Sequence, residues 1–338
     1  MPRDGRGRVR QHFMILHAIP ANPVPEGAVT GQITTVDGVA LRYARWNPNA
    51  PRRGTVCVFS GRSDMIEKYF EVVEELRRRG FAVTVLDWRG QGGSARRLRD
   101  PRKGYVRNFN DYQLDLETLV REVVLPDCPP PYFALGHSMG ALILLEAVHQ
   151  GRRWFDRIVL TSPMLGLAGA RGRWFAPYAA KVARTLGLGR LYIPGGGPLP
   201  IAHGPFQGNR ATSDQVRFER TASIMQSARD LALGSPTIAW AHAAFEVQKR
   251  IADPAYASDI RQPLLIMAAG RDSVVSNATI ERFATRLRAG AHLVISGSRH
   301  EILMERDVYR GQFWAAFDAF VPGSPPAGQS NVRAPTYR

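Results

Sequence analysis

The sequence predicts an α/β fold: a mostly parallel central sheet flanked by helices, with a helical cap inserted late in the chain. Three observations predict it. Short apolar runs alternate with helix-spaced segments over most of the 338 residues. The runs are apolar at successive positions, as strands covered on both faces must be. The rhythm then breaks between residues 165 and 255 and resumes afterwards.

Taken in order, residues 1–30 are polar and proline-bearing and read as an extended N-terminal arm. Basic residues from Arg3 to Arg10 precede the apolar run Phe13-Met14-Ile15-Leu16. That run is broken by His17 and Pro20 and is short for the core of a signal peptide. Residues 31–47 alternate around Asp37-Gly38, the pattern of a β-hairpin. Strands are expected at 55–59, 81–86, 132–135 and 157–160, with helices at 65–79, 111–124 and 139–150 between them. Gly80 and Gly151 stop two of the helices. Residues 165–255 are rich in Gly, Pro and Arg, with helical patches and no convincing strand. The core rhythm returns with a strand at 263–267, a helix at 277–289, a strand at 292–295 and a helix at 303–320. The expected division is therefore an arm (1–30), a core (31–164 and 256–320), a cap (165–255) and a disordered tail (321–338) rich in Pro, Gly and Ser.

Composition narrows the function classes. An apolar fraction of 44% against 22% charged residues is that of a globular chain rather than a disordered one. The formal net charge of +16 favours anionic surroundings. Most of that charge is arginine spread along the whole chain, so compositional bias is the plain reading. No nucleic-acid motif or aromatic-studded basic platform accompanies it, and nucleic acid is not expected as a partner. Peripheral contact with an anionic membrane is the functional reading of the charge. No apolar run reaches membrane-spanning length. The two cysteines, Cys57 in an apolar run and Cys128 in a proline-rich loop, lack Cys or His neighbours at metal-ligand spacing. A disulfide framework is not expected, which fits a reducing, cytoplasmic setting.

The chemistry is carried by Gly136-His137-Ser138-Met139-Gly140. This G-x-S-x-G follows an apolar strand and opens an apolar helix, the context in which a serine is held on a sharp strand-to-helix turn. Gly136 and Gly140 allow close backbone approach. Ser138 then projects at the C-terminal edge of the sheet, at a helix N-terminus that favours developing negative charge. A serine capping a helix is the plain alternative. A serine hydroxyl needs a base, and the base needs an orienting acid. Asp272 sits just past the strand at 263–267, and His300 just past the strand at 292–295, giving the order Ser, acid, His. Ser138 is the expected nucleophile, His300 the general base and Asp272 the residue that fixes the imidazole. Among the alternatives, His137 is expected to point away from the site, His149 to be structural, His203 and His242 to belong to the cap, and His292 to start a strand. Asp259 precedes its strand and so lies at the wrong edge; Asp307 is a second substitute for Asp272. Glu301, beside His300, either tunes the site or, as the more ordinary reading, caps a helix. An oxyanion hole is expected from the backbone N–H groups of Met139 and of Arg62, in the turn Ser60-Gly61-Arg62-Ser63. Gly90-Gln91-Gly92-Gly93 reads as a tight turn, since it lacks the full G-x-G-x-x-G and follows the second strand of the rhythm.

These motifs together, Phe59-Ser60-Gly61-Arg62, Asp87-Trp88-Arg89-Gly90-Gln91-Gly92, the serine pentapeptide, Gly270-Arg271-Asp272 and the run from His300 to Glu305, resemble the lysophospholipase L2 and monoacylglycerol lipase branch of the α/β-hydrolases. This branch is also described by its serine-aminopeptidase-like domain. The resemblance spans residues 30–320. It implies the α/β-hydrolase fold and hydrolysis of a small-molecule or lipid carboxylic ester through an acyl-enzyme on Ser138, with no metal or organic cofactor. The cap would supply an acyl pocket, with Trp174, Phe175, Tyr178, Leu186, Tyr192 and Ile193 as candidate lining, although such residues at helical spacing also serve as cap core. One departure is Ser60-Gly61, where the monoacylglycerol lipases begin the turn with His-Gly; it leans toward the lysophospholipases. The arginine-rich stretch Arg96, Arg97, Arg99, Arg102 and Lys103 is either a phosphate-headgroup site or a solvated basic face. A small-ester hydrolase or peptidase with the same triad, and a non-catalytic ligand-binding protein of this fold, are the competing readings.

Overall fold

The computed structural model describes residues 15–169, 175–200 and 204–322. Its centre is an eight-stranded sheet in the order β1-β2-β4-β3-β5-β6-β7-β8. β1 (Val29–Thr34) and β2 (Ala40–Trp46) form the hairpin, and β2 runs antiparallel to β4 (Ala82–Leu86). The remaining pairings, through β3 (Thr55–Phe59), β5 (Tyr132–His137), β6 (Arg157–Thr161), β7 (Leu264–Ala269) and β8 (Gly290–Ile295), are parallel. The chain steps from β3 to β4 on one side and then to β5 on the other. The reversal opens a crevice beyond the C-terminal ends of β3 and β5, where open α/β sheets hold ligands.

Two apolar layers hold the sheet, and the period of two in each strand sorts residues between them. Val56 and Val58 face one layer with Phe70, Val73 and Leu76 of α1 (Phe70–Arg78) and Phe313, Trp314 and Phe317 of α10 (Asp307–Phe320). Cys57 and Phe59 face the other, built from α2 (Asp111–Leu119), α4 (Met139–His149) and α9 (Asn277–Ala284). α2 runs on through a wider turn at Val120–Val124 into the short α3 (Leu125–Asp127), so the helix expected at 111–124 is one apolar ridge with an altered winding. Between β6 and β7 lie α5 (Ala176–Thr185), α6 (Gln215–Ser227), α7 (Ile238–Ile251) and α8 (Pro254–Asp259), and among the described residues this stretch contributes no strand to the sheet. α7 buries Trp240, Ala243, Ala244 and Val247 in the same layer as α4. α6 packs Ile224 in a small apolar cluster with Met65 and is also tied to the core by charge. Arg217 and Arg220 reach Glu71 of α1 at 2.6 Å, and Arg310 of α10 reaches the same carboxylate at 2.8 Å. Burial would raise the Glu71 carboxyl, but hydrogen bonds and charge from these three arginines hold it down at about 2.

Several expected elements differ in detail. From residue 15 the N-terminal segment is packed rather than extended: Leu16 is buried, and the Trp46 indole donates to the Pro25 carbonyl at 3.1 Å. The helix expected at 277–289 ends at Ala284, since Thr285 caps it and β8 starts at Gly290. The helix expected at 303–320 is a short turn, Ile302–Met304, followed by α10, because the Glu305 carboxylate accepts the Arg299 and Arg306 N–H groups and turns the chain. The signal-peptide question at residues 3–14 and most of the expected tail lie outside the described residues.

A buried ion cluster fastens the antiparallel hairpin to the parallel sheet. Arg42 of β2 donates to Asp87 at 2.6 Å and, with both terminal nitrogens, to Glu67 at 2.8 Å. Asp87 also accepts the Ile66 N–H at 3.0 Å and the Gly93 N–H at 2.7 Å. Gly92 has φ +53°, and a Cβ there would lie 2.2 Å from the Asp87 carboxyl carbon, so only glycine lets this loop close on the carboxylate. Removing one partner of such a cluster leaves buried charge uncompensated. Arg42→Met should lower unfolding free energy by about 3–5 kcal/mol, read from the midpoint of chemical denaturation.

Candidate active site

β5 ends in a glycine-serine turn that sets the site. Ser138 has φ 49° and ψ −108°, a strained conformation for a side chain with a Cβ. Its N–H donates to the Thr161 carbonyl at 3.0 Å, and its carbonyl accepts from Leu142 and Met164. Gly140 is required by packing: a Cβ there would lie 2.3 Å from the Phe59 carbonyl oxygen, so the start of α4 rests on the end of β3. The Ser138 hydroxyl is thereby aimed over the C-terminal rim of the sheet, immediately before the N-terminus of α4.

The two other members of the constellation come from the next two strand ends. Asp272 follows β7 and His300 follows β8. The His300 Nε2 lies 3.0 Å from Ser138 Oγ, and its Nδ1 lies 2.7 Å from Asp272 Oδ2. Asp272 Oδ1 accepts the N–H groups of Val274 and Val275 at 2.8 and 2.9 Å. Burial alone would raise the Asp272 carboxyl, but the hydrogen bond and charge of His300, then those two N–H groups, hold it below the usual carboxylate range. Asp272 is thus kept ionised, and its acceptance from Nδ1–H leaves Nε2 free to take a proton from the serine.

The turn after β3 closes the other side. The Gly61 N–H is taken by Asp64 at 2.9 Å and the Ser63 N–H by the Gln91 side chain at 3.2 Å. The Arg62 N–H between them meets no acceptor among the described residues. Met139, the first residue of α4, likewise has no intrahelical acceptor for its N–H.

A match to the serine aminopeptidase S33 pattern covers residues 50–307. The chain belongs to that family. The family match includes each strand end just described. Among relatives, the lysophospholipase L2 of Escherichia coli K12 is 31% identical over 310 residues, 89% of this chain and 90% of its own. A probable lysophospholipase L2 of Haemophilus influenzae is 27% identical over 263 residues, 78% of this chain and 82% of its own. Among solved structures, a soluble variant of the monoglyceride lipase from Saccharomyces cerevisiae superposes with a TM-score of 0.72 at 18% identity, covering 90% of this chain and 99% of that one. At that identity the likeness speaks for the fold, which is that of the α/β-hydrolases.

Within this family framework, other residues singled out in the sequence fall in different places. His137 does not point away. Its ring packs 5.0 Å from that of His300, and a Cβ on Gly61 would sit 3.0 Å from it, so it lines the floor between the histidine and the turn after β3. Burial, then the neighbouring His300, pushes the His137 imidazole down to about 3, which keeps it neutral. His149 stacks on Tyr256 at 3.7 Å and His242 is buried in α7; His203 lies outside the described residues. Asp259 ends α8 ahead of β7, at the far edge of the sheet, and Asp307 pairs with Arg217. Glu301 makes no helix-capping hydrogen bond; its carboxylate meets Lys68 instead.

The cap candidates fare less well. Trp174 lies outside the described residues. Phe175, Tyr178 and Leu186 are exposed, because α5 turns that side to solvent and packs its other side on α7. Tyr192 is engaged laterally, its hydroxyl donating to Asp100 at 3.2 Å and its ring under Lys103. Of the arginine-rich stretch, Arg96 is spent on the carbonyls of Gly90, Gly92 and Asp230, and Arg97 pairs with Asp37.

The residue that sequence reasoning undervalued is Gln91. It lies in the expected tight turn, closed by its N–H to the Trp88 carbonyl. Its amide also donates to the Gly61 carbonyl at 2.8 Å while accepting from Ser63, so it splints the turn after β3. Trp88 adds an indole hydrogen bond to the Ser60 carbonyl at 3.0 Å. The glycines around Gln91 signalled the turn; nothing in their spacing signalled what the side chain grips.

Proposed function

We propose that Ser138 is the nucleophile, His300 the general base and Asp272 the orienting acid of an acyl-transfer site, with the Met139 and Arg62 N–H groups as its oxyanion hole. The observation that carries this reading is the unbroken hydrogen-bonded chain from the serine hydroxyl through the imidazole to an ionised carboxylate, at a helix N-terminus. The protein is a carboxylic ester hydrolase of the lysophospholipase and monoacylglycerol lipase type.

In the first half-reaction Ser138 Oγ attacks the ester carbonyl carbon while His300 Nε2 takes its proton. The carbonyl oxygen becomes an oxyanion between the Met139 and Arg62 N–H groups. On collapse the C–O bond to the alcohol breaks, His300 returns the proton to the leaving oxygen, and the acyl group stays on Ser138. In the second half, His300 takes a proton from water as its oxygen attacks the acyl carbon. Collapse then frees the acid and restores the serine. The strained backbone at Ser138 holds the hydroxyl in place throughout, so orientation is built in before substrate arrives.

The substrate reading leans to lysophospholipids over monoacylglycerols. What supports it is the Ser60-Gly61 start of the oxyanion turn and the extent of the likeness to lysophospholipase L2. The cap also supports work at a lipid surface. Tyr178, Val182 and Leu186 form one stripe on α5, with Leu188 and Leu191 just beyond. All are exposed, Tyr178 at 72% and Leu186 at 70%. Lys181, Arg184 and Arg190 flank them. An apolar face rimmed by cations is the pattern of a helix lying in an anionic interface. Among the described residues no helix is long and apolar enough to cross a membrane, so contact of this kind would be peripheral.

A fluorophosphonate probe should label the wild type and fail to label Ser138→Ala, and Ser138→Ala or His300→Ala should lower turnover of p-nitrophenyl esters by several powers of ten with the fold retained. Equal labelling of Ser138→Ala would overturn the assignment. For the surface reading, Tyr178→Ser with Leu186→Ser should reduce co-sedimentation with phosphatidylglycerol vesicles severalfold and slow hydrolysis of lipid in vesicles. Turnover of a soluble short-chain ester should be unchanged.

A further inference from the structure

Lys68 lies in the single turn Ile66–Tyr69 that precedes α1, and its side chain is buried. Its ammonium is 2.7 Å from Asp64 Oδ1 and 2.7 Å from Glu301 Oε1. Asp64 belongs to the turn after β3. Its other oxygen accepts the Gly61 N–H and the Tyr69 hydroxyl, each at 2.9 Å. Glu301 is the neighbour of His300. One cation therefore joins the turn that carries Arg62 to the loop that carries the base.

The histidine loop needs such a reference because much of its hold is on the cap side. The Glu301 N–H donates to the Ala211 carbonyl at 2.8 Å, Thr212 Oγ1 donates to the Met304 carbonyl at 2.7 Å, and the Arg299 side chain donates to the carbonyls of Asn209 and Thr212 at 3.0 Å. These residues precede α6 and belong to the inserted segment. The Lys68 bridge runs from the same loop to the core. Burial alone would favour neutral lysine, and the two carboxylates more than reverse that, so the bridge is ionic. A buried ion cluster is poor value as mere stability, since apolar residues of like volume serve as well. Its geometric specificity is another matter, for it fixes two loops whose separation sets where charge and proton meet.

We propose that Lys68 and Glu301 are positioning residues: the Asp64–Lys68–Glu301 bridge sets the distance between the oxyanion turn and His300. This rests on the roles of Ser138, His300 and Arg62 proposed above. Neither Lys68 nor Glu301 touches the reacting atoms. A misplacement of about 1 Å in such a site can lower rate by about 100-fold.

Glu301→Ala separates this role from folding, because Glu301 is only partly buried and Lys68 keeps Asp64 as partner. With p-nitrophenyl butyrate, kcat should fall about 10- to 100-fold with KM within about twofold. Affinity for an alkyl boronate, which presents a tetrahedral anion to the site, should fall in step with kcat, and the melting temperature should hold. Glu301→Gln keeps an oxygen for Lys68 and should recover most of the loss. Lys68→Met should reproduce the Glu301→Ala phenotype where it folds. An unchanged kcat, a loss confined to KM, or a Gln variant no better than Ala would overturn the bridge's role. Fluorophosphonate labelling of the wild type and its loss in Ser138→Ala report separately on the underlying reading, so the two failures are distinguishable.

Discussion

The site depends on one imidazole held from both sides. His300 has two ring nitrogens, and only one arrangement of its proton serves a serine nucleophile. The ionised Asp272 accepts at Nδ1, which places the lone pair at Nε2, 3.0 Å from Ser138 Oγ. Asp272 performs this because two backbone N–H groups and the imidazole outweigh its burial. Everything else in the architecture brings these groups to that geometry. β5, β7 and β8 are parallel and in register, so their C-terminal ends lie on one rim. The strand order turns at β3, which sets the turn after β3 beside the serine rather than across the sheet.

That geometry is set by polar contacts in places where apolar packing would be simpler. Asp87, Arg42 and Glu67 are buried together, as are Lys68, Asp64 and Tyr69, and each charge is matched by a partner or a backbone N–H. Apolar contacts are non-directional and tolerate sliding. A carboxylate between an N–H and an ammonium does not. The loops after β3, β4 and β8 are irregular and lack a helix or strand ladder of their own, so side chains such as Gln91 and Asp64 do for them what backbone hydrogen bonds do for the sheet. The glycines at 92 and 140 belong to the same logic, since each lets a backbone approach another group more closely than any Cβ permits.

This explains what could be read from the sequence and what could not. Val56, Val58, Phe59 and their counterparts in the other strands are apolar in unbroken runs, so the parallel sheet was legible from periodicity. The convergence of Ser138, Asp272 and His300 was legible because each follows such a run, and residues just past parallel strands lie on one rim of the sheet. For Glu301 the helix-cap reading outweighed a role at the site because its partner is 233 positions away, beyond the reach of local pattern. Gln91 and His137 were misjudged for the same reason: their roles arise from contacts between loops whose spacing in sequence carries no period. The exposure of Tyr178 and Leu186 was hidden for another reason. Helical spacing shows that Tyr178 and Leu186 share a face, but not whether that face looks inward or outward.

The net charge is less concentrated than its value of +16 suggests. Arg42, Arg89, Arg217 and Arg310 each hold two or more carboxylates within the fold. Arg96 is consumed by backbone carbonyls. These side chains act as multidentate clamps, which suits the planar five-donor guanidinium better than an ammonium. Abundant arginine is therefore partly a structural choice of this fold rather than a surface field. Other cations stay outward, among them Lys181, Arg184 and Arg190 on α5 and just beyond it. They sit beside the apolar stripe of Tyr178, Val182 and Leu186, so here cationic side chains border an apolar face that meets water.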